Sequence, residues 1–138
     1  MVLIHASRDI PASLDSVWNV IADIDKEPEF WHGTKSIRKI NKQGNTVERE
    51  VVLAFRNSVC REIVELDPKN SVNIKIMEGP IKGKKAITLT TIENNTTRIN
   101  VEWDIKVNGI FGIFTEMIKK HILKGTEEAL DRISKTVS

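Results

Sequence analysis

The sequence lacks several residue types, and each absence narrows the function. Its 138 residues include one cysteine, Cys60, which excludes an intramolecular disulfide and a metal site built from a cysteine cluster. There is no tyrosine, so one common general acid of enzyme cavities is missing. Lys and Arg number 21 against 19 for Asp and Glu, whereas a nucleic-acid surface needs a clustered basic excess. We therefore expect no nucleic-acid partner.

Long apolar runs and catalytic motifs are also missing. No stretch approaches the ~20 apolar residues of a membrane-spanning helix, and the alternating segment Met1–Asp9 is too short and polar for a signal peptide. Phosphate loops, nucleophile elbows and Cys-x-x-Cys pairs do not occur. His5 and His32 are far apart in sequence, and we expect neither a metal nor a cofactor. These features predict a cytoplasmic protein without stable membrane insertion.

What the sequence does have is the alternation typical of antiparallel strands. Between Ile99 and Val107 every odd position is apolar and every even position is polar, until Asn108-Gly109 breaks the pattern. Such alternation places one side of a strand on a core and the other side in water. It predicts that Glu102, Asp104 and Lys106 are exposed and that the alternate residues are buried, namely Ile99, Val101, Trp103, Ile105 and Val107.

The same reasoning along the chain predicts an α+β fold. A strand at Val2–Asp9 precedes a helix that has Ser13 as its N-cap and runs through Ile24, and Asp25 caps a second, one-turn helix. Short turns then separate six strands, which implies an antiparallel meander. These strands are expected at Thr34–Asn41, Thr46–Phe55, Ser58–Leu66, Val72–Met77, Lys84–Ile92 and Thr97–Val107, before a long amphipathic helix at Phe111–Lys135. We expect a curved sheet of six to seven strands wrapped around that helix, with two short helices after the first strand.

This order of elements, together with four short motifs, resembles the START-related helix-grip superfamily, which includes polyketide cyclases/dehydrases and coenzyme Q-binding proteins. The motifs are Ile10–Trp18, an apolar-Pro-Ala start to a helix carrying Val-Trp; Asp23 followed by Pro28-Glu29-Phe30-Trp31; the strand-ending turn Glu65–Pro68; and the Gly-Pro turn Glu78–Gly83. The resemblance implies one START-like ligand-binding domain over residues 1–138. It also implies an internal cavity for an apolar ligand, with or without catalysis.

Two charged residues are predicted to lie inside this cavity. If Arg56-Asn57 forms a two-residue hairpin turn, Val51 faces Glu62 on the more apolar side of the hairpin. Arg49 then lies diagonally within reach of Glu62 on that side. Because a charge in an apolar interior is costly unless it is paired, we interpret the two as a polar anchor for a ligand, an acid/base pair or a structural ion pair.

The cavity is expected to open between the short helix of Phe30 and Trp31, the Met77–Lys82 turn and the start of the terminal helix. His121, at the edge of the buried stripe of that helix, could exchange a proton with a bound carbonyl. Gly125 makes room for a ligand or for the sheet, and the basic run at 82–85 is interpreted as a solvated rim. The predicted ligand-binding residues are Phe30, Trp31, Arg49, Val51, Glu62, Trp103, Phe114, Met117, Ile118 and His121.

Three functions fit this sequence. Because the inward positions are mostly apolar, the leading hypothesis is binding or transport of a hydrophobic or amphipathic small molecule that is lipid, polyprenyl, quinone-like or polyketide-like. The alternatives are a cyclase/dehydratase with Glu62, Arg49 or His121 as acid/base groups, and an interaction module with a packed core. The apolar Asn108–Phe114 segment is either a gate that touches a lipid surface or a buried helix start. Transient membrane contact and a homo-oligomer stay open.

Overall fold

The computed structural model describes residues 2–137, in which seven strands form one antiparallel sheet. The strands are β1 (Val2–Ile10), β2 (Thr34–Gln43), β3 (Thr46–Leu53), β4 (Val59–Asp67), β5 (Ser71–Glu78), β6 (Ile81–Glu93) and β7 (Thr96–Val107). Their order across the sheet is β1-β7-β6-β5-β4-β3-β2. The predicted meander from β2 to β7 is therefore confirmed, and β1 pairs with its last strand.

The helices follow the predicted order, with different boundaries. They are α1 (Leu14–Ile21), α2 (Glu27–Phe30) and α3 (Thr115–Val137), with 3-10 turns at Ile24–Lys26 and Gly109–Phe114. The Ser13 hydroxyl accepts from the Ser16 N–H, which confirms the predicted N-cap. The predicted end of α1 at Ile24 is wrong because Asp23, with ψ of 72°, leaves the helical conformation. Asp25 lies in the following 3-10 turn and does not cap α2.

The sheet curves around α3, and two short helices follow β1, so the predicted α+β helix-grip fold is confirmed. α3 packs on the sheet through a stripe of buried side chains. The stripe consists of Ile118, Thr126, Ala129, Leu130 and Ile133. None of the helices described within residues 2–137 is long and apolar enough to cross a membrane.

The alternation of β7 determines which of its side chains reach the core. Ile99, Val101 and Ile105 are buried, and Glu102, Asp104 and Lys106 are exposed, as predicted. Trp103 and Val107 are on the same side but are only half-buried, although both pack against the core. The inner side of β7 is therefore apolar from Ile99 to Val107, and it is less closely covered toward the end at Val107.

The register of the β3–β4 hairpin differs from the prediction by two residues. Val51 is opposite Cys60, and Arg49 is directly opposite Glu62. The cause is the turn, which spans residues 54–57 and is closed by a 2.8 Å hydrogen bond from the Leu53 N–H to the Ser58 carbonyl. A shift of two residues keeps every side chain on its side of the sheet, since the strand period is two. Arg49 and Glu62 therefore remain inward.

Gly83 lets β6 approach β7 closely at an inward position. Its φ is 138°, and a Cβ built there would lie 2.1 Å from the Asp104 carbonyl oxygen. Glycine is required where a backbone approaches another this closely. β6 then continues in phase, so that Lys85, Ile87 and Leu89 face the interior.

Candidate functional site

Four charged side chains meet in the interior, and we call them the buried charge cluster: Glu27, Arg49, Glu62 and Lys85. Arg49 is 1% exposed and Lys85 is 4% exposed, and Glu62 is also buried. Glu27 is almost covered, with 10% of its side chain exposed. Charged side chains are rarely so buried unless they are paired, so the contacts of each one decide what the cluster can do.

Sheet pairing and α2 together bring these side chains into contact. Arg49 on β3 is directly opposite Glu62 on β4. In the neighbouring row of inward positions, Lys85 on β6 is opposite Trp103 on β7. The period of two keeps both rows on the concave side. α2 then covers them and adds Glu27 from above the sheet.

Arg49 joins the sheet to α2. Its Nη2 lies 2.8 Å from Oε1 of Glu62 and 2.8 Å from Oε1 of Glu27. Its Nε donates to the same Glu62 oxygen at 3.0 Å, and the Thr34 hydroxyl donates to Oε2 of Glu27 at 2.9 Å. Nη1 of Arg49 is buried and has no hydrogen-bond partner among residues 2–137. One donor of the guanidinium is therefore free for a further acceptor.

Lys85 is held by aromatic rings instead of by a carboxylate. Its Nζ lies 3.2 Å from the ring centroid of Trp31 and 4.6 Å from that of Trp103. The two rings are edge to face, with centroids 6.4 Å apart. The Trp103 indole N–H donates to the Thr126 hydroxyl on α3 at 3.1 Å. In the described part of the chain, the Lys85 ammonium forms no ion pair within 4.0 Å, so cation–π attraction is its main contact.

Burial and mutual charge shift the pKa values in opposite directions. Burial, and then the nearby Glu27 carboxylate, raise the pKa of Glu62 in spite of its bond to Arg49. Burial also acts on Glu27, but the charges of Arg49 and Lys85 outweigh it and hold the Glu27 pKa below its usual range. Burial lowers the pKa of Lys85 to about 8. The cluster therefore combines an acid with a raised pKa and a base with a lowered pKa, which is a pattern common at functional sites.

Cys60 has no such activation. It is buried and faces inward from β4, close to Glu62. Burial, and next the Glu62 charge, raise its thiol pKa to about 12. Because only a thiolate is a good nucleophile, Cys60 contributes to packing and not to chemistry.

The open space beside the cluster is small. A cavity of ≈ 20 Å³ lies under α2 and holds about one water molecule. A ligand of ordinary size therefore requires α2 and Trp31 to move. The cavity is lined by Val20, Ile21, Asp23, Ile24, Glu27, Phe30, Trp31, Val72, Ile87 and Ile133.

Gly125 lies beside open space on α3. A Cβ at this position would meet no heavy atom within 4 Å. The next residue, Thr126, is the one that accepts from the Trp103 indole. A larger side chain at 125 would extend into this open space without meeting a neighbour within 4 Å at its Cβ.

The structure brings together most of the predicted ligand-binding residues on the sheet and α2. Trp31, Arg49, Glu62 and Trp103 are in or against the buried charge cluster. Val51 is inward on β3, two residues from Arg49. Phe30 lines the small cavity. Of the three elements predicted at the cavity mouth, only the short helix lines the cavity, whereas the Met77–Lys82 turn and the start of the terminal helix do not.

The predicted residues on α3 and on the 3-10 turn before it are more dispersed. Ile118 is buried and Phe114 is half-buried against the core. Met117 is 44% exposed and His121 is exposed. These two are one helical turn apart and lie just outside the buried stripe, which is narrower than the sequence suggests. They do not take part in the interior site.

Two residues of the cluster were missed by the sequence analysis. Lys85 belongs to the basic run that was interpreted as a solvated rim, and that interpretation is wrong for this residue. Lys84 is exposed, whereas Lys85 is in phase with the apolar Ile87 and Leu89. The alternation of β6 was the signal that identifies it. Glu27 has no comparable signal, because only the tertiary position of α2 brings it to Arg49.

The donor set of the cluster suits an organic ligand. Both of its carboxylates engage Arg49. Among residues 2–137, no three His, Cys, Asp or Glu side chains are grouped so that they could hold a metal ion. The arrangement offers a hydrogen-bond donor, aromatic faces and groups that can exchange protons.

Solved structures with the same fold cover nearly the whole chain. TTHA0849 from Thermus thermophilus is 19% identical with a TM-score of 0.81, over 99% of this chain and 97% of that one. The Zhui aromatase/cyclase from Streptomyces sp. R1128 is 12% identical with a TM-score of 0.86, over 99% and 93%. A START superfamily protein from Mycobacterium smegmatis is 12% identical with a TM-score of 0.81, over 99% and 99%. At these identities the likeness shows the fold alone.

A family profile identifies the chain more specifically than these structures do. None of the curated proteins compared with the chain matches it. The profile described as "Polyketide cyclase / dehydrase and lipid transport" matches residues 1–138. This match confirms the resemblance to the START-related helix-grip superfamily. The chain belongs to the polyketide cyclase/dehydrase and lipid transport family.

Proposed function

We propose that the protein binds or carries a hydrophobic or amphipathic small molecule between the sheet and α3, with the polar end of the molecule at the buried charge cluster. The main support is Nη1 of Arg49, a buried donor without an acceptor in residues 2–137. Leaving a buried donor unpaired costs about 1–3 kcal/mol. A carbonyl, carboxylate or hydroxyl oxygen on a ligand would remove this cost, and family membership makes an apolar ligand the natural candidate.

The apolar part of the ligand would lie against the tryptophan pair. Trp31 and Trp103 have ring surfaces suited to a flat or isoprenoid chain, and Lys85 now contacts both rings. At ~25 cal/mol per Å², a few hundred Å² of buried ligand surface supports roughly micromolar binding after association costs. No catalytic group is required for this function.

Binding requires α2 to move, because the present cavity holds little more than one water molecule. α2 has four residues and is tied to α3 by a 2.9 Å hydrogen bond from Arg132 to the Phe30 carbonyl. Glu27 ties it to Arg49. A ligand oxygen that pairs with Arg49 can replace part of the second contact, so ligand binding and α2 opening are coupled.

The 3-10 turn before α3 would be the contact with a lipid surface. Ile110 is 83% exposed and Ile113 is 85% exposed. Lys106 precedes this turn and Lys120 follows it, both exposed. Exposed apolar side chains flanked by lysines suit the surface of an anionic bilayer. Such a contact would be transient and would bring the interior close to a lipid-dissolved ligand.

The test is uptake of cis-parinaric acid, a fluorescent polyene fatty acid with a carboxylate end. We expect saturable binding by the wild type and a large loss in Gly125→Leu, since the added side chain would occupy open space on α3 next to Thr126, the residue that accepts from the Trp103 indole. Lys124→Leu, which adds the same side chain at the adjacent exposed position of α3, is the matched control and should bind as the wild type does.

Both variants are first checked for native circular dichroism and thermal unfolding. Unchanged uptake by a folded Gly125→Leu variant would contradict this placement of the ligand. Failure of the wild type to bind any apolar probe would instead favour an interaction module with a packed core.

A second candidate, a cyclase/dehydratase-type enzyme, has one observation in its favour. Glu62 has a raised pKa and Lys85 a lowered one within the same cluster, which suits proton donation and removal. Native mass spectrometry of a co-purified molecule separates the candidates. A carrier releases the molecule that it took up unchanged, whereas a dehydratase releases a product that is lighter than its substrate by the mass of one water molecule. This loss of water should then disappear in Glu62→Gln.

A further inference from the structure

We propose that Lys85 is a covalent attachment site, whose amine forms an imine with an apolar aldehyde or ketone held in the interior. This inference rests on the ligand site proposed above and names the chemical class of its ligand. In that proposal Lys85 serves only as a charge or a proton carrier, whereas here its nitrogen becomes bonded to the ligand.

The position of Lys85 distinguishes it from every other lysine of the described chain. Its side chain faces the interior from β6, whereas the other thirteen lysines are exposed. Its Nζ touches the ring of Trp31 at 3.2 Å and lies near Trp103. The amine is therefore held where the apolar part of a ligand is expected to lie.

The nitrogen is also not engaged by an ion pair. Among residues 2–137, no carboxylate lies within 4.0 Å of Nζ, because Arg49 takes both nearby carboxylates for itself. The charged groups that act on Lys85 are Glu27 from α2, Glu62 from β4 and Arg49 from β3. A lysine desolvated in this manner, beside another cation, is an activated amine nucleophile.

The neutral fraction of the Lys85 amine supports the reactivity that its position suggests. Burial lowers the pKa of Lys85 to about 8. At about pH 7.5 roughly a quarter of the Lys85 amine would then be neutral, compared with about one in a thousand for an ordinary exposed lysine. Only the neutral amine attacks a carbonyl, so the difference favours Lys85 by about two hundredfold before access is considered.

The step balances without a further reactant. The Lys85 nitrogen bonds to the carbonyl carbon, the carbonyl oxygen takes a proton, and the nitrogen loses one, which gives a carbinolamine. The C–O bond then breaks as the hydroxyl takes a second proton from the Glu62 carboxyl and leaves as water, and the remaining N–H proton of the nitrogen passes to the Glu62 carboxylate. The products are an imine and one water molecule, with no change of oxidation state. Nη1 of Arg49, buried and without a partner in residues 2–137, would polarise a carbonyl oxygen that it meets within the cluster.

The experiment uses decanal and sodium cyanoborohydride, which reduces an imine to a stable secondary amine. The wild-type protein is treated with less than one equivalent of aldehyde, and the decylated lysines are located by peptide mass spectrometry. We expect Lys85 to be labelled at least tenfold more than the mean of the exposed lysines. Lys85→Met should lose this fast labelling, whereas Lys84→Met, at the adjacent exposed position, should retain it.

Decanol provides the control for binding, because it has the same chain and no carbonyl. It should displace cis-parinaric acid and slow the labelling of Lys85 while forming no adduct. If decanol displaces the probe but labelling is spread over the exposed lysines, the imine inference is wrong and the proposed ligand site stands. If neither compound displaces the probe and Lys85 is unlabelled, both are wrong. The wild-type labelling map decides this even if Lys85→Met does not fold.

Discussion

Two halves of the same interior differ in whether a buried polar group is left without a hydrogen-bond partner. The packed half, where β1 and β7 meet α1 and the end of α3, consists of Ile10, Val17, Ile99 and Leu130 among others, all buried and apolar. Its buried Thr97 hydroxyl donates to the Ala12 carbonyl at 2.9 Å. The other half, under α2, contains the buried charge cluster and the unpaired Nη1 of Arg49.

Under the function proposed above, only the charged half has a buried group free to meet a ligand. An apolar, fully paired region has no group left that could recognise a ligand. A buried charged region is expensive to maintain, since desolvation of each ion has to be offset by close pairing. The buried apolar side chains of the packed half help to offset that cost. Three predictions test this division and a fourth concerns the exposed 3-10 turn, in order from the largest expected effect to the smallest.

Removing Glu62 should have the largest effect, because it leaves Arg49 buried with only Glu27 as its partner. We expect Glu62→Ala to lower the free energy of unfolding by about 4 kcal/mol in denaturant titration. Glu65→Ala, at an exposed position of the same strand, should change it by less than about half a kcal/mol. Similar small losses in both variants would mean that the Arg49–Glu62 pair contributes nothing to the interior.

Truncation in the packed half should destabilise without affecting the ligand site. Leu130→Ala removes a side chain that is buried in the core and should cost about 3 kcal/mol. Its affinity for cis-parinaric acid, measured well below the unfolding temperature, should equal that of the wild type. A weakened affinity in the folded variant would contradict the division of the interior into two halves.

The charge on Lys85 should make stability depend on alkaline pH. Its pKa is about 8 when folded against 10.5 for the free side chain. Below about pH 8 both states carry the proton and the cost of burying the charge is complete. Between these two values the folded state releases the proton while the unfolded state keeps it, so stability should rise with pH, by at most about 3 kcal/mol.

The measurement is the free energy of unfolding of the wild type and of Lys85→Met between pH 7 and about pH 10. The difference between the two proteins should change in favour of the wild type as the pH rises. Parallel curves would show that Lys85 is not buried as a charged group in the folded protein.

Replacing the exposed apolar side chains of the 3-10 turn should weaken membrane contact with little effect on the free energy of unfolding. Replacing Ile110 and Ile113 with serine should change the free energy of unfolding by less than about half a kcal/mol, since both side chains are largely in water. The fraction of protein that sediments with anionic phosphatidylserine vesicles should fall severalfold in this variant. Raised salt should lower the fraction of wild-type protein that sediments. Leu3→Ser, which removes another exposed apolar side chain, should sediment as the wild type does.

Much of the fold could be predicted because local patterns determine it. The alternation of β7 predicted the buried Ile99 and Ile105, and Ser13 marked the start of α1. The β3–β4 register was wrong because Arg56 and Asn57, both with positive φ, lie within a four-residue turn and do not form a two-residue one. Turn length depends on how the strands close, which two residues alone do not determine.

The site was only partly predictable because its contacts connect distant elements. Arg49 and Glu62 could be paired from one hairpin, and Trp31 and Trp103 stood out as aromatic residues near a pocket. Lys85 was missed although its phase in β6 placed it inward. The Glu27 contact depends on where α2 docks, 22 residues before Arg49. No local pattern contains that information.

The central claim is that the charged half of the interior is a ligand site, and the tryptophan indoles test it most directly. Trp31 and Trp103 line this half, whereas Trp18 lies on α1. In ¹⁵N-labelled protein titrated with cis-parinaric acid, the indole resonances of Trp31 and Trp103 should shift together and saturate, and that of Trp18 should remain nearly constant. Saturable binding that shifts Trp18 and leaves the other two indoles in place would contradict the account.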